Sequence, residues 1–347
     1  MAIKLKKQLG VVDGISYVTG SIIGSGIFIS PSPILAGAGS SPGLALCVWL
    51  TCGVWAVLGS LCIAELVIRV RKSGGLYTII HEAFGENVSF VSLWLSEFIL
   101  RPMSIVVSSL AAGTYILRPV FLDCPDEAPT AAIKLFGLTA MVSYLALNCY
   151  SIRITAYIQT AVTITKVLAL VLISTFGLIA IGRGDTENLR DPFKTTDLTA
   201  GGLVFAFYVG TYAFNGGDTI AYAYEEYAFA EKCMGNMKWS IPIFVAISTS
   251  GIVNANTFKG SRTLFAASRE GYFPKYLSMI YVQKKTLVPA IITMGMVACV
   301  IMLGMEMISL LKVYSFLNAL YCFTAIVGIF KLRRTHNPKD ALRVVYL

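Results

Sequence analysis

Hydrophobic residues form long runs along this chain, and short polar segments separate them. A helix needs roughly 20 apolar residues to cross a bilayer, because lipid cannot satisfy exposed backbone polar groups. The pattern predicts spanning helices over residues 11–36, 43–68, 88–119, 132–149, 156–181, 200–224, 240–258, 287–305 and 308–330. The fold class expected from this pattern is an all-α integral membrane protein, with the lipid bilayer as its surroundings.

Composition agrees with this prediction. The 347 residues are 56% hydrophobic and only 14% charged, and the mean hydropathy of +0.72 is far from that of soluble domains. The net charge of +9 does not indicate nucleic-acid binding, because the basic residues cluster between the predicted spans, as the positive-inside rule expects. Residues 1–10, MAIKLKKQLG, are basic and lack the features of a signal peptide, so we predict a cytoplasmic amino terminus.

Two predicted spans are interrupted by glycine at a regular interval. The first carries GSIIGSGIF at residues 20–28, and the sixth, five spans later, carries FYVGTYAFNGGDT at residues 207–219, with Gly210, Gly216 and Gly217. Interrupted helices at matching positions of two halves are typical of secondary transporters built from inverted repeats. The sequence therefore favours a transporter.

The broken ends would offer complementary poles to a ligand. The backbone N–H groups of Ser25, Gly26 and Ile27 could bind a carboxylate, while carbonyls near Ile22 and on the sixth span could bind an ammonium group. An α-amino acid carries both groups. The alternative is that Gly20, Gly24 and their neighbours form a small-residue face for helix packing.

Several charged residues fall within or beside predicted spans. Lys166 lies midway along the fifth span and is expected to face a cavity or carbonyls, with snorkelling to an interface as the alternative. Arg101, in the third span, is expected to form a structural ion pair rather than to serve the transport site. Glu65, Glu225 and Glu226 lie at predicted cytoplasmic helix ends, where solvated or gate-forming carboxylates are more common than proton relays.

Enzyme chemistry has little basis in this sequence. It contains two histidines and lacks the spacing of a Ser-His-Asp triad, a phosphate-binding loop or an HExxH helix. The eight cysteines lack metal-ligand spacing, so we expect no catalytic residue, metal or cofactor. Cys124 stands in the segment RPVFLDCPDEAP, a predicted external loop, where an intermolecular disulfide and a free or palmitoylated thiol both remain open.

Counting the crossings exposes a conflict with charge. From a cytoplasmic amino terminus, six spans return the chain to the cytosol near Glu225, so the span 240–258 would carry residues 259–285 outside. This segment and the tail 331–347 hold eleven Lys and Arg residues, and an external position for them inverts the positive-inside rule. One further crossing before residue 240 restores the rule. We hypothesise that one spanning helix is missing there, through a skipped exon, an incomplete gene model or a divergent isoform.

Several motifs together resemble the light subunits of heteromeric amino acid transporters, the L-type family of the amino acid–polyamine–organocation superfamily. They are LKKQLGVVDGISYVTGSIIGSGIFISP, CIAEL, KSGGLYTIIHEAFG, NGGDT and SRTLFAASREGYFP, which span most of residues 5–330. The resemblance implies a LeuT-like five-plus-five inverted-repeat fold, incomplete at about nine spans. Family members usually have twelve, and this chain resembles one that lacks the seventh and ends after the tenth.

The resemblance also implies roles for individual residues on the first span. Ser25 and Gly26 match contacts to the substrate carboxylate, and Ile22 matches a carbonyl that meets the substrate amine. The substrates it implies are small-molecule L-amino acids.

Other roles that the resemblance implies lie on later segments. Tyr212 matches an aromatic gate over the substrate, Ala213 a second amine-binding carbonyl, and Asn215 a position that influences side-chain preference. Lys166 matches a lysine that occupies the sodium site of related transporters. Cys124 matches the cysteine that joins the light subunit to a single-pass glycoprotein heavy chain.

Two departures from the family pattern concern substrate choice. Gly217 stands where the family usually has tryptophan. The smaller glycine would enlarge the pocket. Asp218 is shared with the branch that exchanges cationic for neutral amino acids, so both substrate classes stay open.

The resulting hypothesis is an amino acid exchanger of the plasma membrane that works by alternating access. Its transporter domain would cover residues 11–330, with a first repeat at 11–181 and an incomplete second repeat at 200–330, followed by a basic cytoplasmic-type tail at 331–347. The alternatives are a non-transporting truncated isoform that regulates the full-length carrier, and a uniporter or proton symporter of amino acids or polyamines.

Overall fold

The computed structural model describes residues 31–70, 76–118, 120–121, 129–184, 186, 190–215, 240–284, 286–305 and 307–335. These residues are mostly helical, and their isolated β-bridge joins Tyr281 to Thr286. The helices are α1 Pro31–Gly37, α2 Pro42–Val70, α3 Leu76–Phe84, α4 Glu86–Trp94, α5 Arg101–Leu117, α6 Thr130–Tyr150, α7 Ile152–Gly182, α8 Ala200–Asn215, α9 Ser240–Arg269, α10 Val288–Gly304 and α11 Met307–Thr335. A π-helical turn, Leu95–Leu100, joins α4 to α5, and a 3-10 turn covers Lys275–Ser278.

Several of these helices suit a membrane. By length and composition, three in the described part of the chain can cross a bilayer: Glu86–Leu117, Thr130–Tyr150 and Ile152–Gly182. Shorter apolar helical stretches cover Pro42–Leu58, Ala200–Thr211 and Val288–Gly304. The all-helical membrane fold predicted from hydropathy is confirmed.

One predicted boundary is wrong. The hydropathy pattern ends a span at residue 258 and assigns 259–269 to a loop, but α9 continues without a break to Arg269. Its last turns are amphipathic: Leu264, Phe265 and Ser268 are buried. Basic residues lower the hydropathy of this stretch without changing its helical period, which is why the pattern missed the extension.

A smaller apolar core joins α1, α2 and α8. Ile34, Cys52 and Ala206 are fully buried within it. The backbones approach closely where α1 crosses α8, because a methyl group added to Gly37 would lie 2.5 Å from the carbonyl oxygen of Gly202. Small residues allow such close helix contact in membranes.

A larger core surrounds α5. This helix is buried on most of its faces, and it packs against α6, α9 and α10. A methyl group added to Gly113 would overlap the carbonyl oxygen of Ile133, and one added to Gly137 would lie 2.9 Å from that of Ser109. These contacts show that α5 and α6 run antiparallel.

The helix directions are consistent across the two cores. The N–H of Gly43 donates to the Pro192 carbonyl, and the Cys52 thiol donates to the Phe207 carbonyl, so α2 and α8 run parallel. The α5 to α9 contacts pair Ser104 with Asn256, and Arg101 with Gly260, so these two helices run antiparallel.

Helix α3 links the end of α2 to the start of the α4–α5 helix, so the end of α2 and the start of α5 belong to the same side of the bundle. His81 on α3 contacts Tyr272 just beyond α9, so α9 also ends on this side. Because α8 runs parallel to α2, α8 and α9 run in the same direction. We call this end of the bundle, which also holds the α6–α7 turn at residues 150–152, the α6–α7 end. Both α8 and α9 run towards it, and residues 216–239 between them lie outside the described residues.

Candidate functional site

The predicted carboxylate-binding residues of the first span lie just before the described chain begins. Ile22, Ser25, Gly26 and Ile27 are outside the described residues, and so is Cys124. The helix that follows GSIIGSGIF is described from Pro31, as α1.

The sixth span remains helical through Tyr212, Ala213 and Asn215, whose backbones form the last turn of α8. The prediction that Gly210 belongs to an unwound segment is wrong. Gly210 lies inside α8, and a methyl group there would lie 2.5 Å from the Cys52 thiol. It permits close packing between α8 and α2, so any break in this span follows Asn215.

The α1–α8 crossing sets the relative direction of these two helices. Gly37, at the end of α1, meets Gly202 in the first turn of α8. A methyl group on Gly210, further along α8, would lie 3.6 Å from Cδ1 of Ile34, which is nearer the start of α1. The helices are therefore antiparallel. The start of α1, which follows residues 20–28, lies at the depth of the last turns of α8, where Tyr212 and Ala213 stand.

Lys166 is buried in the interface between α7 and α9, with 1% of its surface exposed. Its Nζ would lie 3.6 Å from a methyl group on Gly251 of α9. The snorkelling alternative fails, because the ammonium group lies inside the bundle beside α9. Gly251 permits this approach, since a larger side chain would collide with Val162 and crowd Lys166.

A chain of buried amides lies where α6, α7 and α9 meet. The side-chain N–H of Asn148 donates to Oδ1 of Asn254 at 2.9 Å, and that of Asn254 donates to Oε1 of Gln159 at 2.9 Å and to the Thr155 carbonyl at 3.2 Å. Nε2 of Gln159 is buried and has no hydrogen-bond partner among the described residues. Polar pairs of this kind fix the register of neighbouring membrane helices.

Arg101 is paired, as its structural interpretation predicts. Its Nε donates to both carboxylate oxygens of Glu97, each at 2.7 Å, and the Ser96 hydroxyl donates to Oε1 at 2.7 Å. The Glu97 side chain is fully buried, and it belongs to the π-helical turn. Sequence reasoning missed Glu97, although its position four residues before Arg101 is the spacing of a helical ion pair.

The buried polar groups of the described residues differ from those of a metal site. The described part of the chain contains no group of three or more His, Cys, Asp or Glu residues that could hold a metal. The notable polar groups are instead a buried lysine, an amide chain and a buried ion pair, all inside a bundle of apolar helices.

Spanning helices arranged around two apolar cores, with polar and charged groups buried among them, are the architecture of a polytopic membrane protein. The chain belongs to the amino acid permease family, whose model matches residues 9–238 and 229–346. The family predicted from the motifs is thereby confirmed.

Three curated relatives illustrate the similarity. The human cystine/glutamate transporter is 34% identical over 377 residues, covering 95% of this chain and 75% of the relative. The human b(0,+)-type amino acid transporter 1 is 30% identical over 382 residues, covering 97% and 78%. The mouse Asc-type amino acid transporter 1 is 34% identical over 402 residues, covering 99% and 75%.

These alignments are longer than the chain itself. The alignment with the human cystine/glutamate transporter covers 377 positions against 347 residues here, so at least 30 positions face gaps in this chain. The family model also matches in two pieces, residues 9–238 and 229–346, which overlap at residues 229–238. That junction falls between the parallel helices α8 and α9, where the charge pattern predicts a missing crossing.

Proposed function

We propose that the protein exchanges L-amino acids across the plasma membrane by alternating access. Neutral amino acids are the first candidates. Cationic ones follow because Asp218 is shared with a branch that exchanges them, and because a b(0,+)-type transporter is among the relatives. Enzymatic activity and a chemical cofactor are not expected.

The observation that carries this proposal is the direct packing of α1 on α8 through Gly37 and Gly202. Because the two helices are antiparallel, the segment before Pro31 and the last turn of α8 would approach each other. Ser25, Gly26 and Ile27 would then offer N–H groups to a substrate carboxylate. Carbonyls of Ile22 and Ala213 would accept hydrogen bonds from its ammonium group.

Two residues of α8 would act on the rest of the substrate. Tyr212 would cover the substrate from one side as a gate, and Asn215 would influence which side chains are accepted. Gly217 would leave room behind the pocket.

Lys166 would act as a fixed cation. Its side-chain nitrogen lies beside α9, where related transporters hold sodium, so this side chain would take the place of a bound ion. This arrangement supports exchange that is independent of a sodium gradient.

The two cores support a moving unit and a scaffold. Helices α1, α2 and α8 share one core, and the helices around α5 share the other. Rocking of the smaller unit against the larger one would expose the substrate to each side in turn. The amino terminus would be cytoplasmic, and Cys124 would join the protein to a single-pass glycoprotein heavy chain.

A second candidate is a non-transporting isoform that occupies the heavy chain and regulates the full-length carrier. The parallel directions of α8 and α9 favour it, because the second repeat would lack one crossing. It predicts a Cys124-dependent heterodimer without substrate flux, and reduced transport when it is co-expressed with the active carrier.

Uptake of labelled leucine and arginine would separate the candidates. The chain would be co-expressed with a heavy subunit, its surface abundance quantified by biotinylation, and uptake measured with and without preloaded amino acid. Exchange requires uptake that depends on the internal amino acid. Net uptake without internal substrate would indicate a uniporter or symporter, and surface protein without flux would indicate the regulatory isoform.

A further inference from the structure

A basic and aromatic surface lies at the α6–α7 end, outside the proposed substrate site. Lys284 and Arg153 are exposed there, and Nζ of Lys284 lies 3.9 Å from the centre of the Tyr150 ring. We call these residues, together with Tyr281, the hairpin surface. Its position at the turn between two membrane helices is where lipid headgroups meet a protein.

The hairpin surface is held in a defined shape. The Thr286 hydroxyl donates to the Cys149 carbonyl at 2.9 Å, which fixes the hairpin to the end of α6. The N–H of Tyr281 donates to the Thr286 carbonyl at 2.9 Å, and its hydroxyl donates to Gln283 at 2.8 Å. Lys284 is therefore presented on a folded turn rather than on an open loop.

The two segments that form the hairpin surface carry charge of one sign. Residues 143–160 and 271–287 contain Arg153, Lys275 and two further lysines and no Asp or Glu, while the exposed acidic residues of this end, Glu82, Glu86 and Glu270, lie on α3, on α4 and directly after α9. Cations near a membrane surface attract anionic lipids, and the attraction does not require burial. The same segments expose Tyr150 and Tyr281, and amphipathic rings of this kind are enriched at headgroup level.

An apolar track runs along α7 from the hairpin surface towards the bilayer centre. Its members are all exposed and share one face of the helix, because those from Ile154 to Val171 recur every three or four residues and the last follows seven residues later: Ile154, Tyr157, Ala161, Ile164, Leu168, Val171 and Leu178. Such a face suits an acyl chain. A soluble partner or a nucleic acid would leave it uncovered.

We propose that the hairpin surface binds the headgroup of an anionic glycerophospholipid, with Lys284 and Arg153 at its phosphate and an acyl chain along the α7 track. The cation pair supplies the preference for a negative headgroup. The face of the Tyr150 ring holds the Lys284 ammonium group in position to meet the headgroup.

Lipid binding to the purified full-length chain would test this proposal. Native mass spectrometry in detergent would give the affinity of the first bound phosphatidylserine and of phosphatidylcholine with the same acyl chains. We expect phosphatidylserine to bind about 25-fold more tightly, since each of the two basic residues near the surface contributes roughly a fivefold gain. Equal affinities would overturn the proposal.

Variants locate the site. Lys284→Gln with Arg153→Gln should abolish the preference for phosphatidylserine, whereas the control Lys194→Gln with Arg183→Gln, which removes two exposed cations from the opposite end, should keep it. Tyr150→Phe should bind as the parent does, and Tyr150→Leu should lose severalfold. The soluble headgroup glycerophosphoserine should compete weakly, because it lacks the acyl chain. Equal losses in the test and control pairs would contradict the assignment.

Discussion

Arg101 donates its Nε–H to both carboxylate oxygens of Glu97, at 2.7 Å each, inside the helix that runs from Glu86 to Leu117. The π-helical turn that carries Glu97 ends where Arg101 begins the next α-helical segment. An extra residue in a helical turn changes which side chains share a face, and such turns are common at functional positions. Here the turn places an acid and a base together within a membrane helix.

Breaking this pair should destabilise the protein. Glu97→Leu would leave the guanidinium without its carboxylate, and we expect a loss of about 3 kcal/mol, as for other buried ion pairs. The double variant Glu97→Leu with Arg101→Met should recover most of that stability, because no charge remains unpaired. Thermal unfolding in detergent would give the coupling energy, and additive effects of the two single changes would contradict the pairing.

Gly37→Ala should weaken the α1–α8 contact. The new methyl group would lie 2.5 Å from the Gly202 carbonyl oxygen, so the helices must separate, at a cost of roughly 1–3 kcal/mol. Uptake should fall with it. The matched control is Gly201→Ala. Gly201 precedes Gly202 on α8, and a methyl group there meets open space. If the two variants melted and transported alike, the crossing would not matter.

Lys166→Ala should reduce exchange strongly at normal surface abundance. The change removes the cation beside α9 and leaves a cavity between α7 and α9, so the proposed site loses both its fixed charge and its packing. Lys194→Ala serves as the control, because Lys194 lies in the exposed segment between α7 and α8, away from Lys166. Wild-type exchange rates in Lys166→Ala would refute the role of a fixed cation.

The amide chain allows a comparison between two of its members. Asn254→Leu would leave Asn148 Nδ2 and Gln159 Oε1 without their shared partner, at about 1–3 kcal/mol. Gln159→Met should cost less, because it also removes a donor that has no partner among the described residues. Melting temperatures of the two variants would rank them, and the reverse order would contradict the network.

Cysteine accessibility should report the orientation. In intact cells, an impermeant thiol reagent should label Lys194→Cys above the background of the unsubstituted chain, while Lys284→Cys should react only after permeabilisation. The expectation follows from the cytoplasmic amino terminus and the shared end of the hairpin surface and the α6–α7 turn. Labelling of Lys284→Cys from outside would invert the proposed topology.

Sequence reasoning reached the fold and the family because both rest on long patterns. Hydropathy located α6 and α7 to within a few residues, and the charge pattern indicated the irregularity between α8 and α9 that their parallel directions reflect. The burial of Lys166 also follows from its position in mid-span. Such features depend on periodicity and on the cost of charge in lipid, which are readable along one chain.

Contacts between distant segments were not readable in the same way. Gly210 reads as a helix breaker in the sequence, yet it serves close packing because Cys52, 158 residues earlier, lies against it. The Asn148, Gln159 and Asn254 cluster joins three helices, and no spacing within one helix predicts it. The helical end of α9 was missed because Lys259, Arg262 and Arg269 lower the hydropathy of a stretch whose buried positions are recognised only by the contacts they make.

The smaller core has a consequence for biosynthesis. Cys52 bonds to a carbonyl 155 residues later in the chain, so α2 leaves the ribosome long before the helix that covers it. At 5–20 residues per second, α2 would wait roughly 8–30 s for α8. During that interval its packing face must be shielded by lipid or by an insertion factor, and slowed elongation before residue 215 would lengthen the exposure.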